Sequence, residues 1–148
     1  MNDTNRLQVI HLDIEHHAEI IDLWQRAGLH IRPEGRDSAE AFAQQMATGV
    51  QTPIGLRDGE RLVAVALATH DSRKGWINRL AVDPDYRRQG LGLQLIRLCE
   101  EHFRSVGIDI WAALIEDWNE ASLALFRKAG YHVHDNITYA SQRTRSDA

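Results

Sequence analysis

The sequence predicts an α/β fold: a single domain over residues 1–148, with one mixed, mostly antiparallel central sheet flanked by helices. Three observations carry that expectation. Strand-like and helix-like runs follow one another in the order strand, two helices, three strands, helix, strand, helix, strands. The run LVAVALAT from Leu62 is almost continuously apolar, as a central strand covered on both faces must be. No linker, repeat or low-complexity tract divides the 148 residues, and 43% of them are hydrophobic, enough for one core.

Each element has its own signal. Residues 7–12 (LQVIHL) read as a first strand. Between Ile14 and Gly28, Ile20, Ile21 and Trp24 recur at helical spacing, with Gly28 as the stop. Asp37 and Ser38 offer caps for a second helix that carries Phe42 and Met46 and ends near Gly49. Pro53–Leu56, the turn Arg57-Asp58-Gly59-Glu60 and the run from Leu62 form a hairpin pattern. Trp76 to Val82 (WINRLAV) is the next strand, closed by Asp83-Pro84-Asp85. A third helix then carries Leu91, Leu95, Leu98, Cys99, Phe103 and Val106 on one face and stops at Gly107. Ile108–Ile115 reads as a strand, Asn119–Ala129 as a helix stopped by Gly130, and Tyr131–Arg143 as a strand pair. The polar tail, residues 143–148, is expected to fray.

Composition narrows the function classes. A net charge of −4 and a pI near 6.0 disfavour broad attraction to nucleic acid or to an anionic membrane. The single cysteine, Cys99, cannot form an internal disulfide and sits in the apolar stripe of the third helix, which predicts a packed thiol. No signal peptide and no apolar run near eighteen residues is seen, so a soluble, cytoplasmic protein is expected. His16-His17 and the pair His132 and His134 lack a third ligand at metal spacing, and no metal is expected.

The stretch PDYRRQGLGLQ, Pro84 to Gln94, carries the chemistry. A helix starting near Gly90 presents unpaired amides around Gln89–Leu93, and its dipole places about half a positive charge there. Glycines at 90 and 92 remove Cβ atoms that would hold off a bulky anion, and Arg87 and Arg88 add donors suited to phosphate oxygens. A Walker-type loop does not fit, since Leu93-Gln94 follows Gly92, and the dinucleotide fingerprint fails at Leu95. The plain alternative is a strand–turn–helix punctuated by glycine.

Arg87-Arg88-Gln89-Gly90-Leu91-Gly92, following Leu80-Ala81-Val82-Asp83-Pro84-Asp85-Tyr86, resembles the acetyl-CoA loop of the GNAT superfamily of N-acetyltransferases. Asn119-Glu120-Ala121-Ser122-Leu123-Ala124-Leu125-Phe126-Arg127-Lys128-Ala129-Gly130-Tyr131 resembles that superfamily's second motif, in register with the first. The resemblance implies acetyl-CoA as co-substrate and an amine acceptor as partner, with a homodimer also to be considered. It implies that amides from Arg88 to Leu93 hold the pyrophosphate, and that Leu80, Ala81 and Val82 pair with the pantetheine arm. Asn119, Ser122 and Phe126 would lie near the thioester, and the strands carrying Leu80–Val82 and Trp111–Ile115 would splay apart to admit it. The loop holding Arg32, Glu34, Arg36 and Asp37 would shape the acceptor site, with Trp24 and Trp118 as candidate lining.

Two departures from the family pattern bear on catalysis. Lys74–Leu80 holds no carboxylate, which leaves Glu116 as the candidate base. Phe126 stands where the family usually has a tyrosine acid, so Tyr131, Tyr139 or water would have to replace it. The demand for a base depends on the acceptor: neutralising a lysine-like amine at pH 7 costs roughly 4–5 kcal/mol, an α-amine about 1. A CoA-binding sensor or interaction domain without strong catalysis is the alternative to an enzyme, and a scaffold that binds no nucleotide is a third reading.

Overall fold

The computed structural model describes residues 7–148. Strand β1 (Leu7–His11) leads into a 3₁₀ turn, Ile14–His16, fixed by a reciprocal cap. Asp13 accepts from the Ile14 amide at 2.7 Å, and the Asp13 amide donates to His16 Nδ1 at 2.8 Å. Helix α1 (His17–Arg26) continues from it and buries Ile20, Leu23 and Trp24. Helix α2 (Ala39–Ala47) starts at Ser38, whose Oγ accepts from the Ala41 amide at 3.0 Å.

Strands β2 (Gln51–Asp58), β3 (Arg61–His70) and β4 (Gly75–Val82) form a meander, followed by α3 (Leu91–Ser105), β5 (Trp111–Ala112) and α4 (Glu120–Lys128). The sheet order is β1-β2-β3-β4-β5; the first three pairings are antiparallel and β4–β5 is parallel. Strand β3 is covered on both faces, as its apolar run predicted. Ala64, Ala66 and Ala68 join a cluster with Leu95, Ile96 and Phe103 of α3, while Val65 and Leu67 join Ile20, Leu23 and Trp24 of α1. The mixed, mostly antiparallel sheet flanked by helices is therefore as expected. Among the described residues no helix is long and apolar enough to cross a membrane.

Two expectations are corrected. The strand read over 108–115 pairs only at Trp111 and Ala112, opposite Gly75 and Trp76. Its anchor is local: Gly75 lacks the Cβ that would meet Phe103 at 2.6 Å, and the Phe103 ring stacks on Trp111 at 5.7 Å. Beyond that point β5 does not pair with β4. Residues 131–143 form no strand pair, since a strand needs a neighbouring edge and β5 offers only two residues. Ile137 and Tyr139 of that segment stay exposed. Asp147 and Ala148 lie against the backbone of Gly35 in the α1–α2 loop.

Candidate functional site where β4 and β5 part

The turn after β4 is built on one buried carboxylate. Asp83 is 1% exposed, accepts from the Asp85 amide at 2.8 Å, and receives Arg26 and Arg61. Its own amide donates to the Val63 carbonyl at 2.8 Å, so the turn is tied to α1 and β3 together. Tyr86 donates its hydroxyl to Asp58 at 2.5 Å. The chain then passes through left-handed backbone at Arg88 (φ 65) and Gly90 (φ 77) and enters α3. The first helical bond to Gly90 comes from the Gln94 amide at 3.0 Å, which leaves the amides of Leu91, Gly92 and Leu93 without helical acceptors.

The two glycines differ in role. A Cβ on Gly90 would meet nothing within 4 Å, so that glycine serves the φ of the turn. Gly92 is buried, and its Cβ would meet Leu125 Cδ2 at 2.8 Å. Its missing side chain admits α4, a packing role. Arg87 is exposed, and its Nη2 donates to the Ala27 carbonyl at 3.3 Å, at the end of α1. Arg88 is exposed and Gln89 half-buried.

Along β4 the register to β3 jumps from Val65↔Ala81 to Leu67↔Asn78, so Arg79 and Leu80 together oppose Ala66. Downstream of Trp76, β4 has no recorded pairing to β5, and the edge of Leu80, Ala81 and Val82 is unpaired on that side. Leu80 and Val82 lean on the α3 cluster, while Ala81 belongs to the α1 cluster.

Helix α4 opens at Asn119, whose side chain accepts from the Ser122 amide at 3.2 Å while its own amide donates to the Glu116 carbonyl at 2.9 Å. Glu116 and Asp117 are exposed, as is Trp118. Phe126 is 5% exposed and meets Tyr131 edge-on at 5.1 Å. Tyr131 donates its hydroxyl at 2.6 Å to the buried Glu100, which Arg97 holds at 3.0 Å. Burial, then Glu100, pushes the Tyr131 phenol well above its ordinary range. Cys99 is fully buried, its thiol pushed up to about 12 by burial, so it is inert as the apolar stripe predicted. His132 and His134 stand 4.4 Å apart, and among the described residues no group of three or more His, Cys, Asp or Glu is arranged to hold a metal.

A second cluster lies on the α1 side of β4, and sequence reasoning found only part of it. Arg79 has φ 55, unusual outside glycine, and its guanidinium lies over the Trp24 ring at 4.4 Å. Trp24 Nε1 donates to the Arg79 carbonyl at 3.2 Å, and Asp37 sits 3.5 Å from Arg79 Nη2. Asp37 in turn accepts from the Arg32 amide at 2.7 Å, and its carbonyl meets His17 Nε2 at 2.8 Å. Burial pulls the Arg79 guanidinium below its ordinary value, with Asp37 opposing and Arg36 adding to the effect. The sequence offers Trp24, Arg32, Arg36 and Asp37 for the acceptor side, but not Arg79. Its signal was a lone cation inside the apolar run WINRLAV.

The model of the acetyltransferase (GNAT) family matches residues 15–131. An L-methionine sulfoximine/L-methionine sulfone acetyltransferase of Pseudomonas paraeruginosa is 34% identical over 62 residues, covering 42% of this chain and 36% of that protein. A mycothiol acetyltransferase of Propionibacterium freudenreichii is 27% identical over 123 residues, 78% of this chain and 39% of the relative. The chain thus spans well under half the length of these curated relatives. Among solved structures, an aminoglycoside acetyltransferase from an uncultured soil metagenomic sample superposes with a TM-score of 0.79 at 15% identity, covering 95% and 98% of the two chains. The PaiA N-acetyltransferase of Thermoplasma acidophilum, in complex with coenzyme A, gives 0.76 at 16% identity, covering 88% and 92%.

Proposed function

The chain belongs to the acetyltransferase (GNAT) family, and on that premise we propose that it is an acetyl-CoA-dependent N-acetyltransferase, moving the acetyl group directly to an amine of a small molecule or protein terminus. One observation carries the reading: β4 and β5 pair over two residues and then part, and the unpaired α3 amides follow beyond the end of β4. The residues present suit the ligand. The left-handed backbone at Arg88 and Gly90 feeds the Leu91–Leu93 amides, a donor set for the pyrophosphate, with Arg87, Arg88 and Gln89 flanking it. Leu80, Ala81 and Val82 offer strand amides and carbonyls to the pantetheine arm, as an added strand would use them. Asn119 and Ser122 flank the thioester, and Phe126 backs them from the core.

Acetyl-CoA supplies an acetyl group activated as a thioester. Glu116 takes the acceptor's proton, directly or through water, and its exposure keeps it in contact with solvent. A departing thiol with pKa near 8.5 needs little help at neutral pH. That suits a site where Phe126 has no proton to give and Tyr131 is engaged by Glu100. A packed, unpaired Cys99 suits a cytoplasmic setting, and a homodimer is the assembly to test by sedimentation.

The test is thiol release from acetyl-CoA across an amine panel, alongside titration calorimetry with CoA. Binding with turnover is expected. Binding without turnover on any amine would reduce the protein to a CoA-binding module, and no binding would end the reading.

A further inference from the structure

The cluster around Arg79 has more cation than it can use. Arg32, Arg36 and Arg79 share one loop and one bulge with two carboxylates, Glu34 and Asp37, and of these only Asp37 reaches a guanidinium, at 3.5 Å. Among the described residues neither Arg32 nor Arg36 has an ion-pair partner. Arg79 Nε and Nη2 and Arg32 Nε are closed to solvent, so a ligand would meet the remaining part of the Arg79 guanidinium, whose side chain is 24% exposed, together with the exposed Arg36. A guanidinium is a fork shaped for a planar oxyanion, and its open side can take one. The cation is also held in place from both ends: Trp24 supports the guanidinium with its ring and the strained backbone with its indole N–H. Strain so firmly held points to a use.

Resting on the acetyltransferase reading above, we propose that Arg79, with Arg32 and Arg36 beside it, forms a subsite for a carboxylate of the acceptor, so that the substrate is an amine-bearing acid such as an amino acid or its derivative. Arg79 immediately precedes Leu80–Val82, the strand edge assigned to the pantetheine arm, and its guanidinium lies against Trp24 and Asp37 on the α1 side. A carboxylate there holds the amine of the same small molecule close to the thioester, a positioning role. The same cations repel a polyamine, so a polycationic acceptor such as an aminoglycoside is disfavoured.

The experiment pairs each protein amino acid with its carboxamide. CoA-saturated protein is titrated with both by calorimetry, and both are run with acetyl-CoA for thiol release. At least one acid is expected to bind and turn over, with kcat/KM roughly tenfold or more above its amide, the equivalent of about 1.4 kcal/mol. Arg79→Asn, a side chain that tolerates positive φ, should pull the acid-to-amide ratio toward one through KM, and Arg79→Lys should restore part of it. Should Arg79→Asn fail to fold, Arg32→Gln carries the same ratio test. Equal use of acids and amides, preference for the aminoglycoside neamine, or no acid bound by a protein that binds CoA would overturn the subsite alone. A protein that binds no CoA would overturn the acetyltransferase reading, and the subsite with it.

Discussion

The two sides of β4 are built from different materials. Toward α3, the candidate cofactor site consists of backbone: left-handed turns at Arg88 and Gly90, three free amides and an unpaired strand edge. Toward α1, the candidate acceptor site consists of side chains brought together from afar, Arg79 with Trp24 and Asp37. A backbone site needs a particular run of residues and tolerates changes of side chain. A side-chain site can be assembled from scattered positions and changed one residue at a time. The first suits a fixed co-substrate and the second an acceptor that varies between relatives.

Asp83 is where this division should break first. It lies in the motif on the backbone-built side, yet its turn is held by Arg26 from α1 and Arg61 from β3. Asp83→Asn keeps an acceptor for the Asp85 amide and removes the charge both arginines meet. Breaking a buried pair typically costs 3–5 kcal/mol. Here about 3 is expected, because Arg26 retains Asp22 and the Leu62 carbonyl and Arg61 is half-exposed. Urea unfolding measures it, and a loss below about 1 kcal/mol would mean that the backbone alone holds the turn.

The same contrast explains what the sequence made legible. Helix stops at Gly28, Gly107 and Gly130, the Ser38 cap and the doubly covered β3 are local signals, and each appears where the residues put it. The anion-loop pattern is local too. Arg79 could not be read, because its meaning lies in Trp24, 55 positions earlier, and in a bulge that only sheet register reveals. The strand read over 108–115 pairs at only two residues, because its pairing depends on the course of β4, which its own residues do not report. Residues 131–143 then have no long edge to pair with.

Gly92 sharpens the comparison, since a motif glycine here answers to packing. Gly92→Val puts a branched side chain where Leu125 Cδ2 stands 2.8 Å from the ideal Cβ position. Overpacking costs about 1–3 kcal/mol, and about 2 is expected at this helix–helix contact. Gly92→Ala should be nearly neutral, because the Leu125 methyl can swing aside and alanine gains helix propensity. Leu125→Ala in the valine background should recover stability, a coupling that a double-mutant cycle reads directly. Valine destabilisation unrelieved by Leu125→Ala would mean that contact with Leu125 does not set the cost at this position.

Phe126 carries the smallest effect and bears on which material the thioester end is made of. If the ring edge reaches the leaving sulfur, Phe126→Tyr supplies the acid that the family usually carries there, and the gain in turnover over the unchanged protein grows as pH falls. The ring packs in the α3–α4 core, edge-on to Tyr131, whose own hydroxyl is taken by Glu100. A new phenol there adds one polar atom to an apolar cluster, and an unsatisfied buried hydroxyl costs about 1–3 kcal/mol. The low end, about 1 kcal/mol, is expected because the added atom is small and Phe126 keeps 5% exposure. Melting temperature and the pH profile of thiol release at saturating amine decide it. A lower melting point with an unchanged profile leaves Phe126 in the core, whereas a rate gain that grows toward low pH would put a working side chain at the thioester, on the half of the site otherwise made of backbone.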